Sequence, residues 1–316
     1  MSRARPHDRI AIIGAGHVGS TTAYALMLRA LFREIVLIDE DVALAQAEAA
    51  DLSDADAMAR PVQIWAGTYA DVASAGIAVI TAGAAIQKGK SRLSIAADSA
   101  AIVRDCVGRL VEAGFDGIIL VAANPVDLMT LAALRASGFS PSRVIGSGTL
   151  LDTSRLRQAL AKRLSVAPGS IDGFVIGEHG DTEVAAFSGV RIGGMTLEAF
   201  CEDRGLQVDR VAIAADVRDA GYRIAQGKGY TSFGVATALV RICEAIVRDE
   251  QAVIAVSTLL SGQYGITDVC LSLPCILGTD GVERVLSPAL STAEREGLVA
   301  SSAVLRQAWL GIAPAD

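Results

Sequence analysis

The chain has 316 residues, of which 52% are hydrophobic and 20% are charged, and its formal net charge is −7. This length and composition exclude a disordered protein and predict two closely packed domains with a large apolar core. The acidic charge, without any block of Lys or Arg, argues against nucleic acid or an anionic membrane as the main partner.

The cysteines and the start of the chain indicate a reducing compartment. The five cysteines are dispersed and form no CxxC pair, so we predict free thiols that fill the core. No apolar signal core follows the polar first residues, and no stretch approaches the length of a membrane span. We therefore expect a cytoplasmic protein.

The first half of the chain alternates between predicted strands and predicted helices. Residues 9–13 form an apolar run that ends in glycines, as a buried parallel strand does, and residues 18–30 have helical composition. Further strands are predicted over residues 34–39, 63–66, 77–81, 118–122 and 143–145, with helical segments between them. This alternation predicts a parallel sheet with helices on both faces.

After about Ser147 the pattern becomes mixed. Helices are predicted over residues 153–164, 208–226, 232–247 and 291–309. Strands are predicted over residues 173–176, 184–192 with a break at Ser188, 252–260, 268–271 and 275–277. We therefore predict an α/β protein in which a doubly wound parallel sheet, residues 1–147, precedes a mixed α+β domain, residues 148–316.

A glycine-rich motif, GAGHVG, lies between the first predicted strand and the first predicted helix. Gly14 allows a tight turn, Gly16 lets a pyrophosphate approach the backbone, and Gly19 lets the helix pack on the strand. The free N–H groups at the start of the helix attract phosphate. We predict a Rossmann dinucleotide-binding domain to which His17 and Val18 also contribute, with His17 a solvated loop residue and not a catalyst.

Asp39 ends the second predicted strand, 20 residues after Gly19. A carboxylate at this place holds the ribose hydroxyls of the adenosine. An alternative is that Asp39 only caps the next helix, although Asp41 is equally well placed to do so. Because Glu40 and Asp41 extend the negative charge, a 2′-phosphate should be repelled, and we predict NAD rather than NADP.

Three residues of the second half have the chemistry of a catalytic site. His179, in the motif GEHGD, is a natural proton carrier near neutral pH, although a single histidine is more often structural. Asp152 and Arg155 are three residues apart at a predicted helix start, where they share one turn. The alternative for this pair is a surface ion pair of little energetic value.

Two further polar residues follow predicted strands of the first half. Arg92 lies in a glycine-bearing loop, and Asn124 precedes a proline. A solvated helix cap and a simple turn are the alternative interpretations. Both residues nevertheless fall near the carboxyl ends of strands, where doubly wound sheets bind ligands.

The whole set of motifs, in this order, resembles the L-lactate/malate dehydrogenase family, and bacterial L-lactate dehydrogenases most of all. The motifs are GAGHVG, TAGA…GKSR, AANPVD, IGSGTLLDTSR and IGEHGD, and the resemblance runs from Ile10 to the last predicted helix. It implies an NAD-dependent oxidoreductase that moves hydride reversibly between NADH and a 2-oxo monocarboxylate. It also implies a homodimer or homotetramer, with the substrate held by the second domain.

The resemblance also implies a role for each polar residue. His179 would protonate the keto oxygen, and Asp152 would hold the imidazole and favour its protonated form. Arg155 would bind the substrate carboxylate with two hydrogen bonds, and Arg92 would polarise the carbonyl when its loop closes. The remaining cofactor and substrate contacts that it implies are Gly83, Asn124 and Ser147.

The resemblance leaves the substrate open. Counting back from Arg92 to the residue that selects the substrate in relatives reaches Ile86, which cannot pair with the second carboxylate of oxaloacetate. A shift of one residue would instead place Gln87 there, as in lactate enzymes. On the opposite wall, Thr231 would pack on the substrate side chain, and Gly221 replaces a usual alanine. Ile86 and Gly221 favour oxo acids larger than pyruvate, unless they reflect neutral drift.

Other functions remain as alternatives. A malate dehydrogenase would need Lys88 or Lys90 as the cation that binds the second carboxylate. A non-catalytic NAD-binding regulator would have no need to keep all four of the predicted catalytic and substrate-binding side chains. The three dispersed histidines show no metal-ligand spacing, so we predict no metal.

One expectation concerns regulation. Relatives that fructose bisphosphate activates carry an arginine and a histidine at a subunit interface. Arg157 matches the arginine, but Asp172 occupies the position of the histidine and would repel phosphate. We therefore predict no activation by the bisphosphate.

Overall fold

A computed structural model describes residues 8–84 and 92–313, with no side-chain description for residues 92–94. Six strands of its first half form a parallel sheet in the order β3-β2-β1-β4-β5-β6. These strands are β1 (Arg9–Ile13), β2 (Glu34–Ile38), β3 (Gln63–Ala66), β4 (Ile77–Ile80), β5 (Ile118–Val121) and β6 (Val144–Gly146). The helices between them are α1 (His17–Arg29), α2 (Val42–Asp56), α3 (Arg92–Glu112) and α4 (Val126–Ser137). The predicted doubly wound sheet is confirmed.

The parallel strands are apolar along their whole length because both faces of the sheet are covered. In β1, Ile10 and Ile12 pack into the core on one face, whereas Ala11 and Ile13 pack into the core on the other. Side chains of a strand alternate between its two faces, so a continuous apolar run supplies both cores.

Three strands from late in the chain extend the same sheet. They are β12 (Ala252–Ser261), β13 (Thr267–Gly278) and β14 (Gly281–Val285), and all three are antiparallel to their neighbours. Ser257 of β12 pairs with Gly146 of β6, which makes the sheet nine-stranded. These late strands form an antiparallel meander that is joined to the edge of the parallel strands.

One strand is longer than predicted. The sequence predicts two short strands on either side of Pro274, but β13 runs through this residue. The carbonyl of Pro274 accepts a hydrogen bond from Leu286 N–H at 2.8 Å. The ring nitrogen and the carbonyl of Pro274 face the same edge of β13, at the point where β14 ends. The missing N–H therefore costs few hydrogen bonds between the strands.

The remaining elements pack beside the sheet, and several of them surround a third apolar core, which contains Leu156, Ile171 and Ile213. The last two helices instead pack into the cores on the faces of the sheet, through residues such as Leu239 and Leu298. The helices are α5 (Leu150–Leu164), α6 (Leu197–Arg204), α7 (Arg210–Lys228), α8 (Phe233–Val247) and α9 (Thr292–Leu310). The short strands are β7 (Ile171–Asp172), β8 (Val175–Ile176), β9 (Val184–Ala185), β10 (Arg191–Ile192) and β11 (Met195–Thr196). A turn of 3₁₀ helix over Phe187–Gly189 makes the break that the sequence predicts near Ser188.

The five cysteines are free, and all but the half-buried Cys201 are buried, as predicted. Within the described ranges, no helix combines the length and apolar character that a membrane crossing requires. The division of the chain at residues 147 and 148 stays a prediction.

Candidate active site

The glycine-rich turn has little room for side chains. Gly14 has a φ of +105°, and a Cβ there would lie 2.8 Å from the backbone nitrogen of Ala82. A Cβ on Gly19 would lie 1.8 Å from the carbonyl oxygen of Gly14, so only glycine lets α1 approach the turn this closely. Among the described residues the space around Gly16 is open, and this N-cap residue of α1 supplies no side-chain hydrogen bond. The turn thus has the shape that a pyrophosphate needs, and the predicted cofactor contacts remain predictions.

Asp39 connects the end of β2 to this turn. Its Oδ2 accepts a hydrogen bond from Ala15 N–H at 2.6 Å, and its Oδ1 accepts one from Asp41 N–H at 2.9 Å. The N-cap of α2 is Asp41, whose side chain accepts from Leu44 N–H. The capping alternative for Asp39 is therefore wrong, and its carboxylate lies beside the glycine turn.

Asp152 joins two of the predicted catalytic and substrate-binding side chains. Its Oδ2 is 2.5 Å from Nδ1 of His179, and its Oδ1 accepts a hydrogen bond from Nη1 of Arg155 at 2.7 Å. The Asp152 side chain is 2% exposed, compared with 17% for Arg155 and 28% for His179. Asp152 lies in the first turn of α5, where the helix dipole favours a negative charge.

The electrostatics of this cluster keep a proton on His179. Burial by itself would lower the pKa of His179, but the carboxylate of Asp152, with smaller contributions from Asp127 and Glu183, outweighs this effect and raises the pKa to about 9. Burial would raise the pKa of Asp152, but His179 and Arg155 together lower it. At neutral pH the pair is thus an imidazolium and a carboxylate. Because Nδ1 donates to Asp152, the proton on Nε2 is the one available to a ligand.

Asp127, in the AANPVD motif at the start of α4, is a buried residue of this cluster that the motifs did not reveal. It is 2% exposed, and its Oδ2 accepts a hydrogen bond from the backbone N–H of His179 at 2.8 Å. The hydroxyl of Ser257 donates to its other oxygen at 2.6 Å. Burial raises the pKa of Asp127 to about 6. A signal was present in the sequence, namely an acid at the start of a helix whose next seven residues are all apolar except Thr130.

The loop that carries His179 is fixed at further points. Gly177 exchanges two backbone hydrogen bonds of 2.9 Å with Ser272 of β13, and Ser301 of α9 accepts one from Glu178 N–H at 2.9 Å. These contacts fix the main chain just before His179, so the ring is held by its backbone as well as by Asp152.

Several other predicted residues lie near this cluster or near the glycine turn. Asn124, beyond the end of β5, is exposed and precedes Pro125 in a cis peptide, and Gly83 is exposed beyond β4. Ser147 is buried, and its N–H donates to Val121 at 2.8 Å. All three residues follow the carboxyl ends of parallel strands, and the glycine turn follows the carboxyl end of β1 in the same way.

The predicted specificity wall is only partly described. A Cβ on Gly221 of α7 would be 4.0 Å from Nη2 of Arg155, and no other side chain among the described residues comes that close, so in this part of the structure the helix face is open toward the arginine. Thr231 is half-buried just after α7. Ile86 and Gln87 fall outside the described residues. Arg92 begins α3, and its side chain lies outside the description.

His17 makes a contact that the sequence did not indicate. Its ring is exposed and stacks on that of Tyr230, with the centroids 3.8 Å apart and the planes at 15°. The Nζ atom of Lys228 lies 4.3 Å from the centre of the Tyr230 ring. The contact joins the glycine turn to the segment that carries Thr231.

Comparisons with known proteins agree with this architecture. Residues 8–146 match the family model of the lactate/malate dehydrogenase NAD binding domain, and residues 149–310 match that of the lactate/malate dehydrogenase alpha/beta C-terminal domain. L-lactate dehydrogenase of Thermus aquaticus is 44% identical over 95% of this chain and 98% of its own. L-lactate dehydrogenase of Acetivibrio thermocellus is 41% identical over 97% of this chain and 98% of its own.

Solved structures give the same result. The ligand-bound minor L-lactate dehydrogenase from Enterococcus mundtii superposes with a TM-score of 0.94 at 35% identity, over 97% of this chain and 99% of that one. The lactate dehydrogenase MGS-M5, from a deep-sea metagenome library, superposes with a TM-score of 0.95 at 35% identity, over 98% and 99% of the two chains.

A doubly wound sheet with an NAD-binding domain, together with a buried acid, histidine and arginine cluster, defines an oxidoreductase. The two family models between them cover almost all of the described residues. The chain belongs to the lactate/malate dehydrogenase family.

Proposed function

We propose that the protein is an NAD-dependent L-lactate dehydrogenase-type enzyme, which transfers hydride reversibly between NADH and a 2-oxo monocarboxylate. The observation that carries this proposal is the placement of Asp152 between His179 and Arg155, at 2.5 and 2.7 Å. A proton donor and a cation that binds a carboxylate are thereby held a few ångströms apart. A 2-oxo acid needs these two groups at its keto oxygen and its carboxylate.

His179 holds the proton of the reaction on Nε2, donates it to the keto oxygen during reduction, and takes it back during oxidation. Asp152 orients the imidazole and stabilises its charged form. Arg155 spends one nitrogen, Nη1, on Asp152, and its other N–H groups remain to bind the substrate carboxylate. We assign to Arg92 the polarisation of the carbonyl. NAD, when bound, supplies the hydride donor or acceptor.

The residues around the glycine turn fit NAD. The positive φ of Gly14, the open space at Gly16 and the uncapped N-terminus of α1 suit a pyrophosphate. Asp39 suits the adenosine ribose, and its negative charge, with that of its acidic neighbours, disfavours a 2′-phosphate. We assign Gly83, Asn124 and Ser147 to the nicotinamide end. Much lower catalytic efficiency with NADPH than with NADH is the expected result.

The similarity to L-lactate dehydrogenases favours a monocarboxylate over oxaloacetate. Pyruvate and a larger 2-oxo acid remain the two candidates, because Ile86 and Gln87 compete for the specificity position. The open face at Gly221 supports the larger acid.

A substrate panel tests the proposal. NADH oxidation is followed with pyruvate, 2-oxoisocaproate, phenylpyruvate and oxaloacetate at matched concentrations. If pyruvate is reduced best, Gln87 occupies the specificity position. If the larger acids are reduced best, Ile86 and Gly221 shape the pocket, and Gly221→Ala should shift the preference toward pyruvate. Preference for oxaloacetate, or NADH binding without turnover, would contradict the proposal.

We further propose that the protein is a cytoplasmic homodimer or homotetramer, as the resemblance to L-lactate/malate dehydrogenases implies. Light scattering coupled to size-exclusion chromatography measures the oligomeric state directly. A monomer at all protein concentrations would contradict the first part of this proposal.

A further inference from the structure

Glu183 is a carboxylate beside the Asp152 and His179 pair, and it takes no part in the proposed proton or hydride transfer. It lies four residues after His179, at the end of a turn in which Gly180 accepts a hydrogen bond from Glu183 N–H at 3.2 Å. One oxygen of Glu183, one oxygen of Asp152 and one ring nitrogen of His179 all lie within 4.8 Å of one another. Within the described part of the chain, the Glu183 carboxylate makes no hydrogen bond and no ion pair.

The charges that surround Glu183 come from three other elements. Asp152 and Arg155 belong to α5, Arg218 belongs to α7, and Asp127 at the start of α4 acts on the same imidazole. Glu178, in the same loop as His179, is engaged by the hydroxyl of Thr182. Two acids and two arginines therefore face the pair that Glu183 forms with His179.

This environment delays the ionisation of Glu183. Burial is the largest cause, and repulsion by Asp152 adds to it, so the pKa of Glu183 is raised to about 8 despite the opposing effects of His179 and the two arginines. Near neutral pH the side chain is consequently uncharged. It then adds no negative charge beside Arg155, where the substrate carboxylate has to bind.

We propose that Glu183 is a positioning residue for the catalytic proton, because its carboxylate, once ionised, holds the proton on His179 to higher pH than Asp152 alone would. The inference rests on the proposed function, in which His179 is the proton donor. It extends the pH range over which the enzyme can reduce an oxo acid.

The coupling between the two groups explains how this works. Both lose their protons to solvent at alkaline pH, because the pKa of Glu183 is raised to about 8 and that of His179 to about 9. The negative charge that appears on Glu183 opposes the loss of positive charge from the imidazole less than 5 Å away. The two titrations are therefore linked, and removal of one group has to move the other.

A metal ion is a weaker interpretation of the same three side chains. Imidazole and carboxylate are metal ligands, but Arg155 already pairs with Asp152 at 2.7 Å. A divalent cation would have to bind beside this guanidinium charge, with His179 deprotonated. The ion pair between Arg155 and Asp152 is more consistent with side chains that hold protons than with side chains that hold a metal ion.

Direct titration of His179 tests the proposal without any turnover. The chain has only three histidines, so NMR of the full-length protein labelled at histidine Cε1 gives few signals, and His179→Asn assigns the relevant one. In Glu183→Gln we expect the His179 midpoint to fall by about one pH unit. Glu202→Gln, the same charge change at an exposed residue of α6, should leave the midpoint in place.

Activity provides the second measurement. The alkaline limb of kcat/KM for oxo acid reduction should move to lower pH in Glu183→Gln, whereas the plateau near neutral pH should stay, because Glu183 is uncharged there. Glu183→Asp, which restores the charge, should recover most of the shift. A loss of activity at all pH values, with an unmoved His179 midpoint, would show a structural role and overturn the proposal.

The two measurements separate this proposal from the proposed function. If the wild-type protein reduces no 2-oxo acid, the proposed function fails whatever the midpoint does. If it does reduce one and the His179 midpoint is equal in wild type, Glu183→Gln and Glu202→Gln, only the role of Glu183 fails.

Discussion

Asp127 binds the backbone N–H of His179 and not its imidazole ring. The Oδ2 atom of Asp127 accepts the N–H of His179 at 2.8 Å, and Ser257 donates to Oδ1 at 2.6 Å. The buried carboxylate thus connects the start of α4, the loop that carries His179, and β12. The place of the predicted proton donor therefore depends on three segments that are far apart in the chain, and Asp152 needs only to orient the ring.

This relationship predicts different outcomes for two substitutions of Asp127. Asp127→Ala leaves the His179 N–H and the Ser257 hydroxyl without an acceptor and should lower the free energy of unfolding by about 1–3 kcal/mol. Asp127→Asn should be much milder, because its carbonyl can accept from His179 while the Ser257 hydroxyl turns to accept from the amide. Urea unfolding measures both. Equal destabilisation by the two changes would contradict this assignment of the hydrogen bonds.

Replacement of the proton donor should stop chemistry and spare cofactor binding. His179→Asn should lower kcat by about a hundredfold or more, because the amide cannot carry the proton. NADH affinity, measured by fluorescence titration, should stay close to wild type. His7→Asn makes the same change outside the predicted site and should have full activity. Full activity of His179→Asn would refute the role of His179.

Removal of the Arg155 guanidinium should weaken the binding of the substrate carboxylate. Arg155→Leu should raise KM for the preferred 2-oxo acid by about a hundredfold or more, since two charge-assisted hydrogen bonds are lost. Steady-state kinetics at saturating NADH measures the effect. Arg163→Leu, at an exposed position on the same helix, is the control. An unchanged KM in Arg155→Leu would mean that the carboxylate binds elsewhere.

The raised pKa of His179 predicts a dependence of stability on pH. In the unfolded chain a histidine titrates near 6.5, and in the folded protein His179 titrates at about 9. The folded state therefore binds the proton more tightly, and the stability that it contributes is complete below about pH 6.5 and lost as the pH rises through about 9. We expect a loss of about 1–3 kcal/mol over this range.

Urea unfolding of wild type and His179→Asn at several pH values checks this expectation. The variant should lose the part that His179 contributes. The part that Glu183 contributes keeps the same sign, but it should extend above about pH 8, because the imidazolium that lowers the pKa of Glu183 is gone. An equal slope in both proteins would show that His179 is not the group responsible.

The pairing of Arg157 predicts that fructose bisphosphate does not activate the enzyme. Its Nη2 atom lies 3.5 Å from Oδ1 of Asp172, and its Nε donates to the carbonyl of Gly173 at 3.1 Å. The guanidinium is thus already engaged with an acid that repels phosphate. KM for the preferred oxo acid should be the same with and without the bisphosphate, and Asp172→His should create a response. A marked fall in KM for the wild type would contradict the prediction.

The sequence by itself determined the features that depend on a few neighbouring residues. Apolar runs such as Arg9–Ile13 predict buried parallel strands, because both faces of the sheet need apolar side chains. The spacing of Gly14, Gly16 and Gly19 predicts the turn, because each glycine meets a local steric demand. The motifs around His179 and Asp152 predict chemistry, because residue type alone limits what a side chain can do.

Only the tertiary structure decided which distant residues meet. That β12 joins the sheet at Gly146, that Asp127 holds the backbone of His179, and that Asp41 rather than Asp39 caps α2 cannot be read from local spacing. The charge state of Glu183 likewise depends on burial and on its distance to Asp152. Hydrogen bonds and electrostatic interactions act over a few ångströms of space, whatever the separation along the chain, and the folded chain sets those distances.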